Sequence, residues 1–290
     1  MKNKLILLPI LLFLINPLFS QDKEEIIDNE PSKLYYGLDF GVYFANSSYS
    51  QFLNGAHPNG VARVLTNTFT NQAINDKLVY PIESWEYSEN TSYDMAVSGG
   101  GFAGIKLKEE MSVVLKFNFT ILKMNAPVVL KLKDASSFTG NFVETTVTSQ
   151  EQRFNVGLGI EKTFEVDSKL KPFASFGLSL NYIQLEKHNY NVEGLNYNIM
   201  RVLRYEGVPS NLQTFYKKID GFGYGLFGET GGKYKLTEKF SGVVGAKFLY
   251  QNNKKYIENL GIETNYKPAL LKQAQGLKLN ALLFVRLIWN

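Results

Sequence analysis

From residue 34 to residue 45 the chain reads LYYGLDFGVYFA, alternating in polarity at a period of two. Leu34, Tyr36, Leu38, Phe40, Val42 and Phe44 share one side of an extended strand, opposite Tyr35, Gly37, Asp39, Gly41 and Tyr43, because successive strand side chains point to opposite faces. Seven further segments repeat the pattern, at 93–107, 112–122, 153–164, 173–183, 221–236, 241–250 and the closing run LNALLFVRLIWN at 279–290. One face of each is built from large aliphatic and aromatic residues, and the other mixes Gly, Ser and Asn with charge. The spacing predicts eight strands.

The connections alternate between short and long. Strands two and three are joined by KEEM, four and five by EVDSKLKP, and six and seven by TEK, all polar and turn-like. The other connections, 46–92, 123–152, 184–220 and 251–275, are long. Short turns at one end and long loops at the other, with both termini on the short side, is the layout of an outer-membrane barrel with periplasmic turns and extracellular loops. A water-soluble sandwich would hide its apolar face and show charge. Here the small polar face suits a crowded eight-stranded lumen and the large apolar face suits lipid. The expected architecture is all-β, an antiparallel transmembrane β-barrel over 34–290, with eight strands, or ten if part of a long loop returns to the membrane.

On this reading the last segment is the closing strand, pairing with the first so that no edge is left unsatisfied in hydrocarbon. The pattern over roughly residues 34–290 resembles the small outer-membrane β-barrel proteins of Gram-negative bacteria, particularly the PorT-like barrels of the Bacteroidetes. The resemblance implies that the carboxy-terminal aromatic strand, with Leu283, Val285, Leu287 and Trp289, is the signal read by the barrel-assembly machinery. Members of that family usually end on the aromatic itself, whereas here Asn290 follows Trp289.

At the amino terminus, Lys2 and Lys4 precede an apolar run from Leu5 to Leu18, then Phe19, Ser20, Gln21 and the charged stretch DKEE. This is the pattern of a secretory signal peptide over 1–20, cut after Ser20. Pro9, Asn16 and Pro17 interrupt a core already short for a membrane helix. Residues 21–33 would then be a periplasmic segment ahead of the barrel, in a mature protein placed in the outer membrane with both termini periplasmic. Cleavage removes two lysines and lowers the net charge from +4 to about +2, which leaves no electrostatic case for a nucleic-acid partner. The chain has no cysteine, so disulfide frameworks and thiolate metal sites are excluded. Its 17 Tyr and 21 Phe against 2 Trp, with 24 Gly, favour sheet over helix.

If the faces are assigned in this way, Asp39, Glu161 and Glu229 point inward together with Lys106, Lys116, Lys247, Lys278 and Arg286. Charges of both signs in a narrow lumen pair, because an isolated buried charge is costly, so a closed interior is expected, with a conducting channel as the alternative. In the first long loop Val61, Val64, Leu65, Phe69, Ala73 and Leu78 recur at spacings of three to five, as on one helix stripe. That helix would either pack over the barrel mouth or form a docking surface, Val61, Val64, Leu65 and Phe69, extended by the aromatics Trp85 and Tyr87. Strands three and four are expected to continue past the membrane through 127–133 and 142–150.

Signals for catalysis are sparse. His57 and His188 lie in different long loops and read as solvated, and there is no HExxH, GxSxG or thiol. GYGLFG at 223–228 matches a dinucleotide motif literally but sits in a strand with no helix after it, so its glycines are read as relieving crowding in the lumen. No cofactor is expected. The function indicated is a non-enzymatic barrel, an accessory or anchoring subunit of a larger envelope assembly of the secretion or barrel-assembly type. It would act through its long extracellular loops, in contact with outer-membrane lipid, the barrel-assembly machinery and protein partners. A small channel or uptake protein, and a lipid-modifying membrane enzyme, are the alternatives.

Overall fold

The computed structural model describes residues 34–78, 80–133, 141–166, 169–200, 202–203, 215–216, 219–264 and 275–289. The expected leader and amino-terminal segment, 1–33, lie outside them. The described strands in chain order are β1 (Leu34–Phe44), β2 (Ile82–Tyr87), β3 (Ala96–Lys106), β4 (Met111–Leu132), β5 (Phe142–Thr163), β6 (Leu170–Val192), β7 (Leu195–Asn198), β8 (Val202–Leu203), β9 (Phe215–Tyr216), β10 (Ile219–Lys235), β11 (Phe240–Asn252) and β12 (Leu277–Trp289).

Eight of these close a ring in up-and-down order, β1-β3-β4-β5-β6-β10-β11-β12, each pair antiparallel. The ring shuts where β12 pairs with β1, setting Arg286 opposite Asp39 and Leu287 opposite Leu38. These staves are the eight segments that alternate in the sequence. Closure gives every stave two neighbours, so the ring itself has no open edge. Of the additional strands, β2 pairs only with the far end of β4, and β7 is the hairpin return of β6, so the ring itself has eight staves rather than ten. No described helix is long and apolar enough to cross a membrane; any crossing falls to the staves.

Three staves are far longer than a bilayer requires. β4 and β5 have 22 residues each and β6 has 23, against roughly 9–11 for a spanning strand. Along them the polarity inverts. The outward face of β4 runs Val113, Leu115, Phe117, Phe119 and Ile121 and then turns to Lys123, Asn125 and Pro127. Its inward face does the reverse, from Lys116, Asn118 and Thr120 to Leu122, Met124, Ala126, Val128 and Leu130. β5 switches at the same height, where Gln152 stands opposite Ile121, with Phe154, Val156, Leu158 and Ile160 outward on one side of the switch and Thr146, Thr148 and Gln150 on the other. Below the switch the barrel is inside-out, with apolar groups exposed and charges enclosed. Above it the same strands form an ordinary sheet with a buried apolar face. The outward apolar run on β4 would cover roughly 23 Å at ~3.3 Å per residue and ~40° tilt, close to the roughly 25 Å apolar band of outer-membrane barrels.

The upper sheet face needs a cover, and two loops supply it. Between β1 and β3 the chain forms a 3-10 turn (Ser50–Leu53), α1 (Val61–Thr66) and α2 (Thr68–Asn75); between β11 and β12 it forms α3 (Lys254–Thr264). Phe52, Leu53, Val61, Leu65 and Ile74 from the first loop, and Tyr256, Ile257 and Leu260 from α3, bury against Met124, Val128, Leu130, Val147, Leu185 and Tyr190 of the strands. The single helix expected over 59–78 is two. Asn67 leaves the helical region with ψ at 127° and caps α2, its side chain accepting the Phe69 and Thr70 amides.

Candidate functional site

The lumen below the cap is filled by one ion network around Arg286. Its Nε donates to Asp39 Oδ1 at 2.6 Å across the closing seam, and its other nitrogens reach Glu229 at 3.2 Å and Glu161 at 3.5 Å. Lys116 bridges Glu161, at 3.4 Å, and Glu229, and Lys247 adds a third cation 3.5 Å from Glu229. Three cations and three carboxylates balance, which is how ions are tolerated away from water. Aromatic rings fill the space between them: the Arg286 guanidinium lies over Phe102 and Phe284, at 4.4 and 4.8 Å, and Phe227 has Lys116 and Lys247 over its ring. Phe227 fits because Gly157, Gly159 and Gly177 leave room; a Cβ on any of them would come within 3 Å of its ring. Of the expected lumen charges, Lys106 and Lys278 lie outside this network, half-buried at the short-turn end and at the opposite end of the barrel.

A second buried polar cluster lies at the level where lumen meets cap. Glu151 of β5 accepts from Tyr93 Oη at 2.7 Å, Tyr256 Oη at 2.5 Å and Arg153 Nη2 at 2.9 Å. Arg153 in turn lies over the rings of Tyr49 and Tyr93. Tyr49 and Tyr93 come from the first long loop and Tyr256 from α3, so one carboxylate fastens both loops to the barrel wall. Burial and the Glu151 charge push the Tyr93 and Tyr256 phenols well above the ordinary tyrosine range.

The two histidines correct the expectation drawn from sequence. Neither is solvated: both are 0 % exposed, and His188 lies within β6 rather than in a loop. Their Nε2 atoms are 2.8 Å apart with ring centroids at 5.1 Å, a nearly head-on contact in which one ring donates and the other accepts. Ser149 Oγ lies 2.8 Å from His188 Nδ1. Burial, then the Arg63 cation, lower His57 to about 3, and burial, then His57, hold His188 well below the ordinary histidine range.

Ser149, His188 and His57 have the connectivity of a nucleophile, a base and an orienting group. Their placement argues against that chemistry. All three are buried beneath the cap, Ser149 only 4 % exposed, and a nucleophile without access cannot meet a substrate. An open cleft in the cap is lined by Leu65, Thr66, Thr68, Asn71, Gln72 and Asn75, and none of the three residues borders it. The trio acts as a clamp, tying the first loop to β5 and β6.

The chain is similar in architecture to small outer-membrane barrels. Neisserial surface protein A is 13 % identical, with a TM-score of 0.39 over 89 % of this chain and 97 % of that one. The outer membrane protein OprG from Pseudomonas aeruginosa is 10 % identical, with a TM-score of 0.37 over 89 % and 95 %. Ail, the attachment invasion locus protein of Yersinia pestis, is 7 % identical, with a TM-score of 0.31 over 88 % and 96 %. No family model and no curated protein matches the chain. None of these likenesses assigns a role to a residue here.

The residues expected to meet a partner are divided by the cap. Val61, Val64 and Leu65 are buried in its core, and Trp85 and Tyr87 are half-buried against it, joined by a hydrogen bond from Trp85 Nε1 to Tyr87 Oη at 3.0 Å. Phe69 alone of the set stands free, 84 % exposed on α2. In β12, Leu283, Val285 and Leu287 face outward. Trp289 stacks on Tyr36 with centroids 5.9 Å apart and meets Phe240 edge-on at 5.8 Å, forming an aromatic rim at the short-turn end. Glu151, Arg153 and the histidine pair were missed by sequence reasoning. For Arg153 a signal existed, since it shares the parity of the inward-facing Asn155 and Glu161.

Proposed function

We propose that this protein is an outer-membrane β-barrel of the PorT-like type, exported with its leader removed, whose working part is the folded cap carried above the membrane. The apolar belt faces lipid, the short turns and both termini lie in the periplasm, and the long loops are extracellular. Its role is non-enzymatic: an accessory or anchoring subunit of a larger envelope assembly of the secretion or barrel-assembly type. The observation that carries this reading is the double closure of the bore, by the balanced network around Arg286 and by the apolar cap core above it. A bore filled in this way by the described residues favours a role carried by the outer surfaces. The exposed Phe69 on α2 is the aromatic anchor best placed for a partner.

Co-purification in mild detergent tests the role. A reproducible complex that weakens when Phe69 is changed to Ala is expected, and isolation of the intact protein only as a partner-free monomer would overturn the subunit reading. Planar-bilayer recording tests the sealed bore independently, because stable unitary currents are incompatible with it.

A further inference from the structure

One contact inside the lumen joins opposite walls of the barrel. Asn118 stands on β4 and Lys247 on β11, four staves apart in either direction around the ring. They meet across the bore, where Lys247 Nζ donates to Asn118 Oδ1 at 2.8 Å. Both side chains are buried, and so is Glu229 beside them.

An amine held against a carboxamide, with a carboxylate at hand and solvent excluded, has the parts needed for amide exchange. The hydrogen bond to Oδ1 sets the amine one bond away from the carboxamide carbon, a position that no free amine in water would keep. Glu229 Oε1 accepts no hydrogen bond from a described residue and lies 3.5 Å from Lys247 Nζ, so a basic oxygen is aimed at the amine. Lys116 and Lys247 crowd the same carboxylate and the same Phe227 ring, 5.4 and 5.1 Å from its centroid. Desolvation next to a second cation is the setting that makes a lysine a nucleophile. The carboxamide is fixed from its other side by Gly100, where a Cβ would come within 2.5 Å of Asn118 Nδ2.

We propose that Lys247 and Asn118 join in an isopeptide bond, a covalent strut across the lumen that the folded chain makes by itself with Glu229 as proton carrier. Glu229 takes a proton from the Lys247 ammonium, and the neutral amine attacks Asn118 Cγ. The Nζ–Cγ bond forms and the Cγ–Nδ2 bond breaks. Glu229 hands its proton to Nδ2, takes the second proton from Nζ, and ammonia leaves. No electrons are transferred and no co-reactant is required. Glu229 ends as the neutral acid, so Arg286 and Lys116 are left against Asp39 and Glu161, and the lumen stays balanced. The strut rests on the lumen geometry and is independent of the partner that the cap meets.

Mass spectrometry of the full chain, folded and purified in detergent, tests the proposal. The intact mass is expected to fall short of the sequence mass by one ammonia. Trypsin should release residues 117–123 and 240–254 as one branched peptide, uncleaved after Lys247. Lys247→Arg and Asn118→Ala should restore the full mass expected for each variant and separate the peptides. In Glu229→Gln the branched peptide should fall by roughly 100-fold or more at equal time after folding. The peptide map of the unsubstituted chain decides the matter even if no variant folds. A full sequence mass with normal cleavage after Lys247 would overturn the strut, and so would loss of ammonia with the two peptides still separate, which is Asn118 closing on its own backbone. An undiminished branched peptide in Glu229→Gln would overturn the role given to Glu229.

Discussion

His57 and His188 meet head-on, their Nε2 atoms 2.8 Å apart and both rings sealed from solvent, although 131 positions separate them in the chain. The contact needs one proton between two neutral rings. A second proton would set two N–H groups against each other in an apolar core, with Arg63 raising the cost on the His57 side.

Acid should therefore release the cap before it harms the barrel. Both histidines have folded pKa values depressed below the ordinary value, so their contribution is complete above pH ~6.5 and is lost as pH falls below it, for His57 toward a folded value of about 3. Each withdraws up to ~1.4 kcal/mol per pH unit across that window. Near-ultraviolet circular dichroism of the buried tyrosines should fade between about pH 6 and 4, while the far-ultraviolet strand signal persists. His188→Gln should flatten the transition, and an unchanged pH profile in that variant would count against the pair as its origin.

Arg286 bridges the seam and three carboxylates at once, so its removal leaves Asp39, Glu161 and Glu229 enclosed with less positive charge. Arg286→Ala should lower stability by ~3–5 kcal/mol, the usual cost of breaking a buried pair from one side. Arg286→Lys should recover only part, because an ammonium cannot make the forked contact to Asp39. The midpoint of urea unfolding in lipid vesicles is the measurement.

Glu151 receives two phenols and a guanidinium. Glu151→Gln keeps the size and removes the charge, and should cost about 2 kcal/mol from charge-assisted bonds. The loss should appear in the loops rather than the staves: limited proteolysis in detergent is expected to cut the first long loop and the α3 loop faster, with the barrel core left intact.

Ser149 lies within reach of an imidazole but under the cap. A fluorophosphonate probe should leave Ser149 unlabelled in the folded protein at neutral pH. Labelling that disappears in His188→Gln would instead mean that the cap opens onto a working nucleophile.

The staves were legible because lipid and lumen impose opposite demands on alternate residues. That contrast stamps a period of two on Leu34–Phe44, on Leu277–Trp289 and on the six strands between. The continuation of β4 and β5 past the belt was visible for the same reason, in PVVLKLK and FVETTVTSQ. The cap was legible only as an apolar stripe in its first loop. Whether Val61 and Leu65 faced a partner or the barrel depended on the surface that β4, β5 and β6 present above the switch in polarity, which belongs to no one segment.

Sequence alone therefore located eight staves, with ten left open, and determined the face each turns outward and most of the charges enclosed below the switch, since each of these follows from local alternation. Only the tertiary structure decided which charges meet, that two histidines expected in water share a buried proton, and that the first loop and α3 pack over the upper strands. Those outcomes depend on strand register and on loops folding back over distances of a hundred residues or more, where no local period carries information.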